Sequence, residues 1–202
     1  MTKKYIPANQ PKKGSIISVE PIRKEKDIKA LSSFLSNHPR NHLLFIMGIN
    51  NGLRISDLLS LKVSDVRSLR VGGALTIREV KTGRKNILMM NKLVHGALKK
   101  YLQVMQPENI EYLFKSQKGT NCPLSVPAVN LMMKKWTGTI NLKGNYGTHT
   151  LRKTWGYQSR IKYGVSWEVI SKRFGHSHPA ITRRYLGIEE KEVIDALMNE
   201  IG

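Results

Sequence analysis

A chain of 202 residues, 40% apolar with three Trp and seven Tyr, is long enough to fold as one domain around its own core. Its 34 Lys and Arg against 14 Asp and Glu leave a formal charge of +20. That excess points to a polyanionic partner, nucleic acid ahead of an anionic membrane surface. No apolar run reaches the ~18 residues of a membrane span, and the single Cys122 excludes an intramolecular disulfide.

The first 26 residues hold Lys3, Lys4, Lys12, Lys13, Arg23, Lys24 and Lys26, interrupted by Pro7, Pro11 and Pro21. Proline removes an amide donor, so residues 1–26 read as an extended, flexible basic arm, either a strap on DNA phosphates or a solvated tail. The opening Met1-Thr2-Lys3-Lys4-Tyr5-Ile6-Pro7 lacks the apolar stretch of a secretory signal, so the expected compartment is the cytoplasm, at the nucleoid if the source is bacterial.

From residue 27 to 202 the pattern is that of one domain. Asp27 is placed to cap a helix with Ile28, Leu31, Phe34 and Leu35 on one face, ending near Asn37-His38-Pro39. A second helix, from about residue 40 to 49, is dense in Leu43, Leu44, Phe45, Ile46 and Met47 and belongs in the core. It stops at Asn50-Asn51-Gly52, which puts Arg54 just past a turn and before a short helix starting near Ser56. Such a turn can hold a charged head rigidly, although Arg54 taken alone reads first as a surface arginine. Asp57, one turn on, either orients Arg54 or acts as an early helical acid.

Between Ala74 and Met90 the period changes to that of strands. Leu75, Ile77 and Val80 run into Lys81-Thr82-Gly83-Arg84-Lys85, and Ile87, Leu88 and Met89 return, predicting a β-hairpin that turns at the glycine. A helix over about 91–105, a short strand at Tyr112-Leu113-Phe114 and a helix over about 125–136 follow. A loop rich in Gly and Asn (Gly138, Asn141, Gly144, Asn145, Gly147) leads to helices near 149–163, 166–173 and 178–186. The last helix, 189–201, gathers Val193, Ile194, Leu197, Met198 and Ile201 on one face. The expected class is α+β, mainly helical with a small antiparallel sheet.

Chemistry concentrates between Thr148 and Tyr185. His149 and Arg152 are three residues apart and share a helix face. Gly175-His176-Ser177-His178-Pro179 follows, then Arg183-Arg184-Tyr185, with Pro179 starting a fresh helix. Two imidazoles, a guanidinium and a phenol in reach of one site suit attack on a phosphodiester. Only four aspartates are present, and no cluster of carboxylates suits a two-metal site, so metal-free chemistry without a cofactor is expected.

The sequence His149-x-x-Arg152, Gly175-His176 and Tyr185 resembles the carboxyl half of the tyrosine recombinase, or phage integrase, family. Gly52-Leu53-Arg54-Ile55-Ser56-Asp57-Leu58-Leu59-Ser60-Leu61 resembles that family's first arginine motif, and Val80-Lys81-Thr82-Gly83-Arg84-Lys85 its lysine-bearing hairpin. Each motif is weak alone; together, in family order over roughly residues 27–200, they are specific. Phe174 stands where the family more often has leucine.

The resemblance implies a site-specific recombinase that cuts and rejoins double-stranded DNA through a 3′-phosphotyrosine, needing neither metal nor ATP. A phenol of pKa about 10 is only about one part in a thousand phenolate at pH 7, so Tyr185 needs a base or cationic neighbours. In this scheme Arg54 and Arg152 grip the phosphate and His149 is the base. Lys81 is the acid for the departing 5′ oxygen, with Lys85 the alternative. His176 binds the phosphate and orients Tyr185, with His178 the alternative. The resemblance further implies a tetrameric synapse on DNA, accessory DNA-bending proteins, and helix 189–201 docking either on its own core or on a neighbouring protomer.

With at most 26 residues ahead of the first catalytic-domain helix, the chain is expected to be either a short member or a fragment lacking the usual amino-terminal DNA clamp. A catalytically silent DNA-binding relative, a type IB topoisomerase-like enzyme and a general basic nucleic-acid binder are the competing readings.

Overall fold

The computed structural model describes residues 18–188 together with 197, 198 and 200. Most of the basic arm and most of the segment 189–201, expected to be a helix, therefore lie outside the described residues. The described part is mainly helical with one two-stranded antiparallel sheet.

Two long helices set the frame. α1 (Glu25–Leu35) and α2 (Pro39–Asn51) come first, with Pro39 in the first turn of α2, where its missing N–H costs nothing. Asp27, expected as the cap, instead lies inside the first turn of α1, whose capping position is Lys24. In α2, Leu43, Leu44, Phe45 and Met47 are fully buried, so this helix runs through the core rather than over it. Its Gly48 lies against α7 (Thr148–Tyr163): a Cβ there would come within 2.7 Å of Leu151 Cδ1. The absent side chain lets the two helices that lead to Arg54 and carry His149 approach closely.

Short elements fill the interval. α3 (Ile55–Leu59) is the expected short helix, and α4 (Val63–Val66) is a single turn too brief to show a period in sequence. β1 (Ala74–Arg78) and β2 (Lys85–Met89) pair antiparallel from Ala74↔Met89 to Arg78↔Lys85, with Gly83 at φ 67° in the turn, as predicted. α5 (Lys92–Met105) and α6 (Val126–Thr139) begin at Asn91 and Ser125, whose side chains accept from Val94 N and Ala128 N. The strand expected at Tyr112-Leu113-Phe114 is instead a turn with isolated bridges, Lys62↔Tyr112 and Lys115↔Pro123. Leu113 and Phe114 are both fully buried, and consecutive inward side chains are incompatible with the alternation of a strand.

α8 (Trp167–Phe174) and α9 (Pro179–Leu186) complete the described helices and enclose a second, smaller core of Tyr157, Trp167, Ile170, Phe174, Leu186 and Ile188. Residues 18–24, expected as the end of the arm, run extended along α7. Ile22 N donates to Thr154 Oγ1 at 2.9 Å, Gln158 Nε2 donates to Arg23 O at 2.8 Å, and Ile22 is fully buried. Burying such a side chain contributes about 1.5–3 kcal/mol, enough to hold this stretch despite its basic, proline-interrupted composition.

Candidate active site

Gly52 ends α2 in the left-handed conformation at φ 59°, and a Cβ there would sit 2.6 Å from the Trp155 ring. Glycine thus lets the chain reverse sharply beneath α7. Two residues later Arg54 takes an extended conformation at the start of α3, with its guanidinium partly buried. Nη1 forms an ion pair with Glu79 Oε2 at 2.5 Å. Asp57 serves a different end: Oδ1 accepts from Val80 N at 2.9 Å and fastens the hairpin to α3.

The hairpin turn delivers Lys81 to a small cleft lined also by Arg54, His149 and Arg152, with Ile55 and Val126 among its walls. Lys85 opens β2, pairs across the ladder with Arg78 and is exposed outside that cleft. Of the two candidate lysines, Lys81 is thus the one that lines the cleft.

α7 starts at Gly147, whose N–H donates to Thr150 Oγ1 at 3.0 Å. His149, Arg152 and Lys153, at i, i+3 and i+4, share the face that looks toward α9 and the cleft. Arg152 is only 3% exposed; Nη1 donates to Gly52 O and Nη2 to Phe174 O, both at 2.8 Å. A guanidinium has five N–H donors in a rigid fork, so those two bonds aim the rest. Burial lowers the Arg152 pKa to about 10, with Arg54 adding to the fall and Tyr185 opposing it, which leaves the group cationic at neutral pH.

Tyr185 lies in the last turn of α9. Its hydroxyl is 3.2 Å from His149 Nδ1, and its ring meets His176 edge-on at 5.3 Å and Phe174 at 5.5 Å. His176 Nδ1 is 2.8 Å from Thr182 Oγ1, a contact that fixes the imidazole and turns Nε2 away from it. His176 thus braces Tyr185 by ring packing. His178 is exposed at the start of α9.

Burial and nearby charge shift the titratable groups of the site. Burial raises the Tyr185 phenol above its ordinary value, against the opposing pull of Arg152 and Arg54, so the hydroxyl keeps its proton in the DNA-free protein. Burial lowers His149, helped by the charges of Arg152, Lys153, Arg54 and Lys81, so the imidazole is neutral at pH 7 and able to accept a proton. His176 is lowered by burial and by Arg152, Arg54 and Arg84. A neutral imidazole, two guanidiniums and an ammonium line one cleft with a phenol beside it, a set able to bind an anion and attack it. Among the described residues, no group of three His, Cys, Asp or Glu is placed to hold a metal.

Two side chains that contact the site residues were not singled out from sequence. Lys153 sits with Nζ 4.5 Å from the centre of the Tyr185 ring and donates to Ser18 Oγ at 2.9 Å; its place one turn after His149 was the available signal. Glu79 is 2% exposed and gathers Arg54, Thr82, Arg84 and Asn86, a role no local pattern reveals.

The phage integrase family model matches residues 23–192. The probable integrase/recombinase YoeC of Bacillus subtilis is 37% identical over 173 residues, covering 85% of this chain and 91% of that protein. Tyrosine recombinase XerA of Pyrococcus horikoshii is 26% identical over 174 residues, which are 86% of this chain but 59% of that one. The chain thus spans nearly all of the first relative and little more than half of the second. Among solved structures, XerA recombinase superposes with a TM-score of 0.70 at 21% identity, covering 90% of this chain and 67% of that chain. XerH site-specific recombinase, in a post-cleavage complex with a palindromic difH substrate, does so at 0.68 and 19% identity, covering 88% and 52%. These superpositions establish a shared fold.

Proposed function

The chain belongs to the phage integrase family, and from that premise we propose that it is a site-specific recombinase that cleaves double-stranded DNA through Tyr185 and rejoins it to a new partner. The observation that carries this reading is the Tyr185 hydroxyl held 3.2 Å from a neutral His149 beside a cleft lined by Arg54, Lys81 and Arg152.

His149 removes the phenol proton as Tyr185 Oη attacks the phosphorus. Fixed guanidinium donors from Arg54 and Arg152 meet the two non-bridging oxygens as charge builds there, so no reorganisation is needed at the moment of reaction. Lys81 protonates the departing 5′ oxygen. The product is a 3′-phosphotyrosine and a free 5′ hydroxyl; attack on that link by a partner strand's 5′ hydroxyl restores a phosphodiester and frees Tyr185. One ester replaces another at each step, which is why no ATP is required.

Exchange between two duplexes breaks four strands, each held by one tyrosine, so four copies of the chain form the working synapse. XerH in complex with a palindromic site, and a lambda integrase dimer bound to a core site, support paired binding on DNA. Accessory DNA-bending proteins fit the same reading, as does action in the cytoplasm, at the nucleoid. Among the described residues no helix is long and apolar enough to cross a membrane.

The test is a nicked suicide duplex carrying the protein's target site, mixed with the protein without added metal and resolved on a denaturing gel. A covalent protein–DNA band that disappears in Tyr185→Phe is expected. DNA binding without any such band would leave the chain a DNA-binding relative and refute the reading.

A further inference from the structure

The reaction just described gives no part to Glu79, yet four donors converge on its buried carboxylate. Oε2 faces Arg54 Nη1 and Thr82 Oγ1, both at 2.5 Å, and Oε1 accepts from Asn86 Nδ2 at 2.8 Å and Arg84 Nη2 at 3.2 Å. A carboxylate has about four lone-pair positions, and here each has a partner. The network extends beyond the hairpin. Arg84 also donates to Lys172 O and Arg173 O, both at 3.1 Å, in the last turn of α8. Arg173 returns the connection, donating to Asn51 O at 2.9 Å and to Asn86 Oδ1 at 2.5 Å.

Glu79 therefore stands where three segments meet: the Lys81 turn, the chain reversal that leads to Arg54, and the end of α8 that leads to His176. A carboxylate beside Arg54 would on its own weaken that arginine's pull on a phosphate. Arg84 shares the same carboxylate and Arg173 lies one side chain away, so the negative charge is already offset and orientation is the effect that remains. Because the guanidinium is planar, fixing one edge fixes the direction of every other donor.

We propose that Glu79 is a positioning residue for strand cleavage: it presets the Arg54 guanidinium for the scissile phosphate and, through Arg84, keeps the Lys81 turn in register with the loop that carries His176. The inference rests on the recombinase reading above. Glu79 acts through Arg54 and does not touch the substrate. Buried, and held by three hydrogen bonds and the Arg54 ion pair, it stays ionised: although desolvation works against the charge, Thr82, Asn86 and Arg54 hold its carboxyl at about 2.

The experiment compares single-turnover formation of the Tyr185–DNA adduct at saturating nicked duplex for the wild type, Glu79→Gln, Glu79→Asp, Arg54→Lys and the Arg54→Lys/Glu79→Gln double variant, with DNA affinity and Tm measured for each. Glu79→Gln keeps the shape and removes the charge. It is expected to slow cleavage about 10–100-fold while DNA affinity changes less than about three-fold, the mark of a misaimed donor rather than a lost binding contact. Glu79→Asp, which keeps the charge, is expected to recover part of the rate. In the Arg54→Lys background the same Glu79→Gln change is expected to cost less than about three-fold, since the guanidinium it aims is gone. An unimpaired Glu79→Gln, or an equal fold-loss in both backgrounds, would overturn the proposal. If Glu79→Gln does not fold, Glu79→Asp with its own Arg54→Lys double variant carries the same comparison. A wild type that forms no adduct overturns the recombinase reading itself, and this inference with it.

Discussion

His149 Nδ1 and the Tyr185 hydroxyl lie 3.2 Å apart although 36 residues separate them in the chain. The contact exists because α7 and α9 pack around the small core of Phe174 and Leu186, which brings the first turn of one helix to the last turn of the other. Their states are complementary: burial holds the phenol protonated, and burial with four nearby cations holds the imidazole neutral, free to accept that proton.

A pH profile follows from that pair. The base must be unprotonated, and the His149 pKa lies below the ordinary 6.5. Cleavage should therefore be insensitive to His149 titration above about pH 7 and fall as pH drops below about 6.5. His149→Gln should lower the adduct rate by about 10²–10⁴-fold and flatten that acid limb. Single-turnover rates from pH 5 to 8 check this; an acid limb of unchanged shape in the variant would remove His149 from the role of base.

In the proposed reaction Arg152 has a structural and a chemical duty at once. Its guanidinium bridges Gly52 O and Phe174 O while stacking over the Phe174 ring at 4.5 Å. A lysine ammonium is a point donor on a flexible stem and cannot span both carbonyls in that fork geometry. Leaving one of these buried carbonyls without its donor costs about 1–3 kcal/mol. Arg152→Lys should thus lose about that much stability in urea unfolding and also cleave DNA at least about 100-fold more slowly. Retention of near wild-type cleavage would show that Arg152 is chiefly a structural clamp.

The parts of the site that sequence reveals are those written in contiguous residues. Arg54 follows a glycine turn, Lys81 precedes Thr82-Gly83, and His149 and Arg152 share a helix face, so each is marked by its own neighbours. Glu79 carries no such mark: its meaning depends on hairpin, α3 and α8 meeting in space, with Arg84 reaching Lys172 across 88 residues. Residues 18–24 mislead for a related reason. Pro21, Arg23 and Lys24 read as part of a tail, yet the single Ile22 finds a fully buried seat against α7. Tyr112-Leu113-Phe114 has the apolar content of a strand, but both Leu113 and Phe114 point inward from a turn, which composition alone does not distinguish.

Gly52 links the fold to the chemistry. Its left-handed φ of 59° and the Trp155 ring 2.6 Å from any added Cβ leave no room for a side chain, and its carbonyl oxygen receives Arg152. The conformation alone costs a non-glycine residue about 1–2 kcal/mol, and the collision with Trp155 adds to it. Gly52→Ala should lower Tm and, by shifting the carbonyl that aims Arg152, reduce the adduct rate more than DNA affinity. Thermal unfolding alongside single-turnover cleavage checks both, and an unchanged Tm would contradict the close approach seen here.

Lys81 and Lys85 can be told apart by removing the need for an acid. Lys81 shares the cleft with Arg54, His149 and Arg152, whereas Lys85 is exposed on β2. An alkoxide leaving group needs a proton as the P–O bond breaks, but a thiol ionises near pH 8.5, so a 5′ sulfur at the scissile bond leaves without help. On normal DNA, Lys81→Ala should slow cleavage by about 10²–10⁴-fold and Lys85→Ala by no more than a few-fold, through lost phosphate contacts. On the 5′-phosphorothiolate duplex, Lys81→Ala should approach the wild-type rate. A Lys81→Ala defect of the same size on both substrates would mean that Lys81 binds the phosphate rather than protonating the leaving oxygen. Rescue of Lys85→Ala instead would move the acid to the strand.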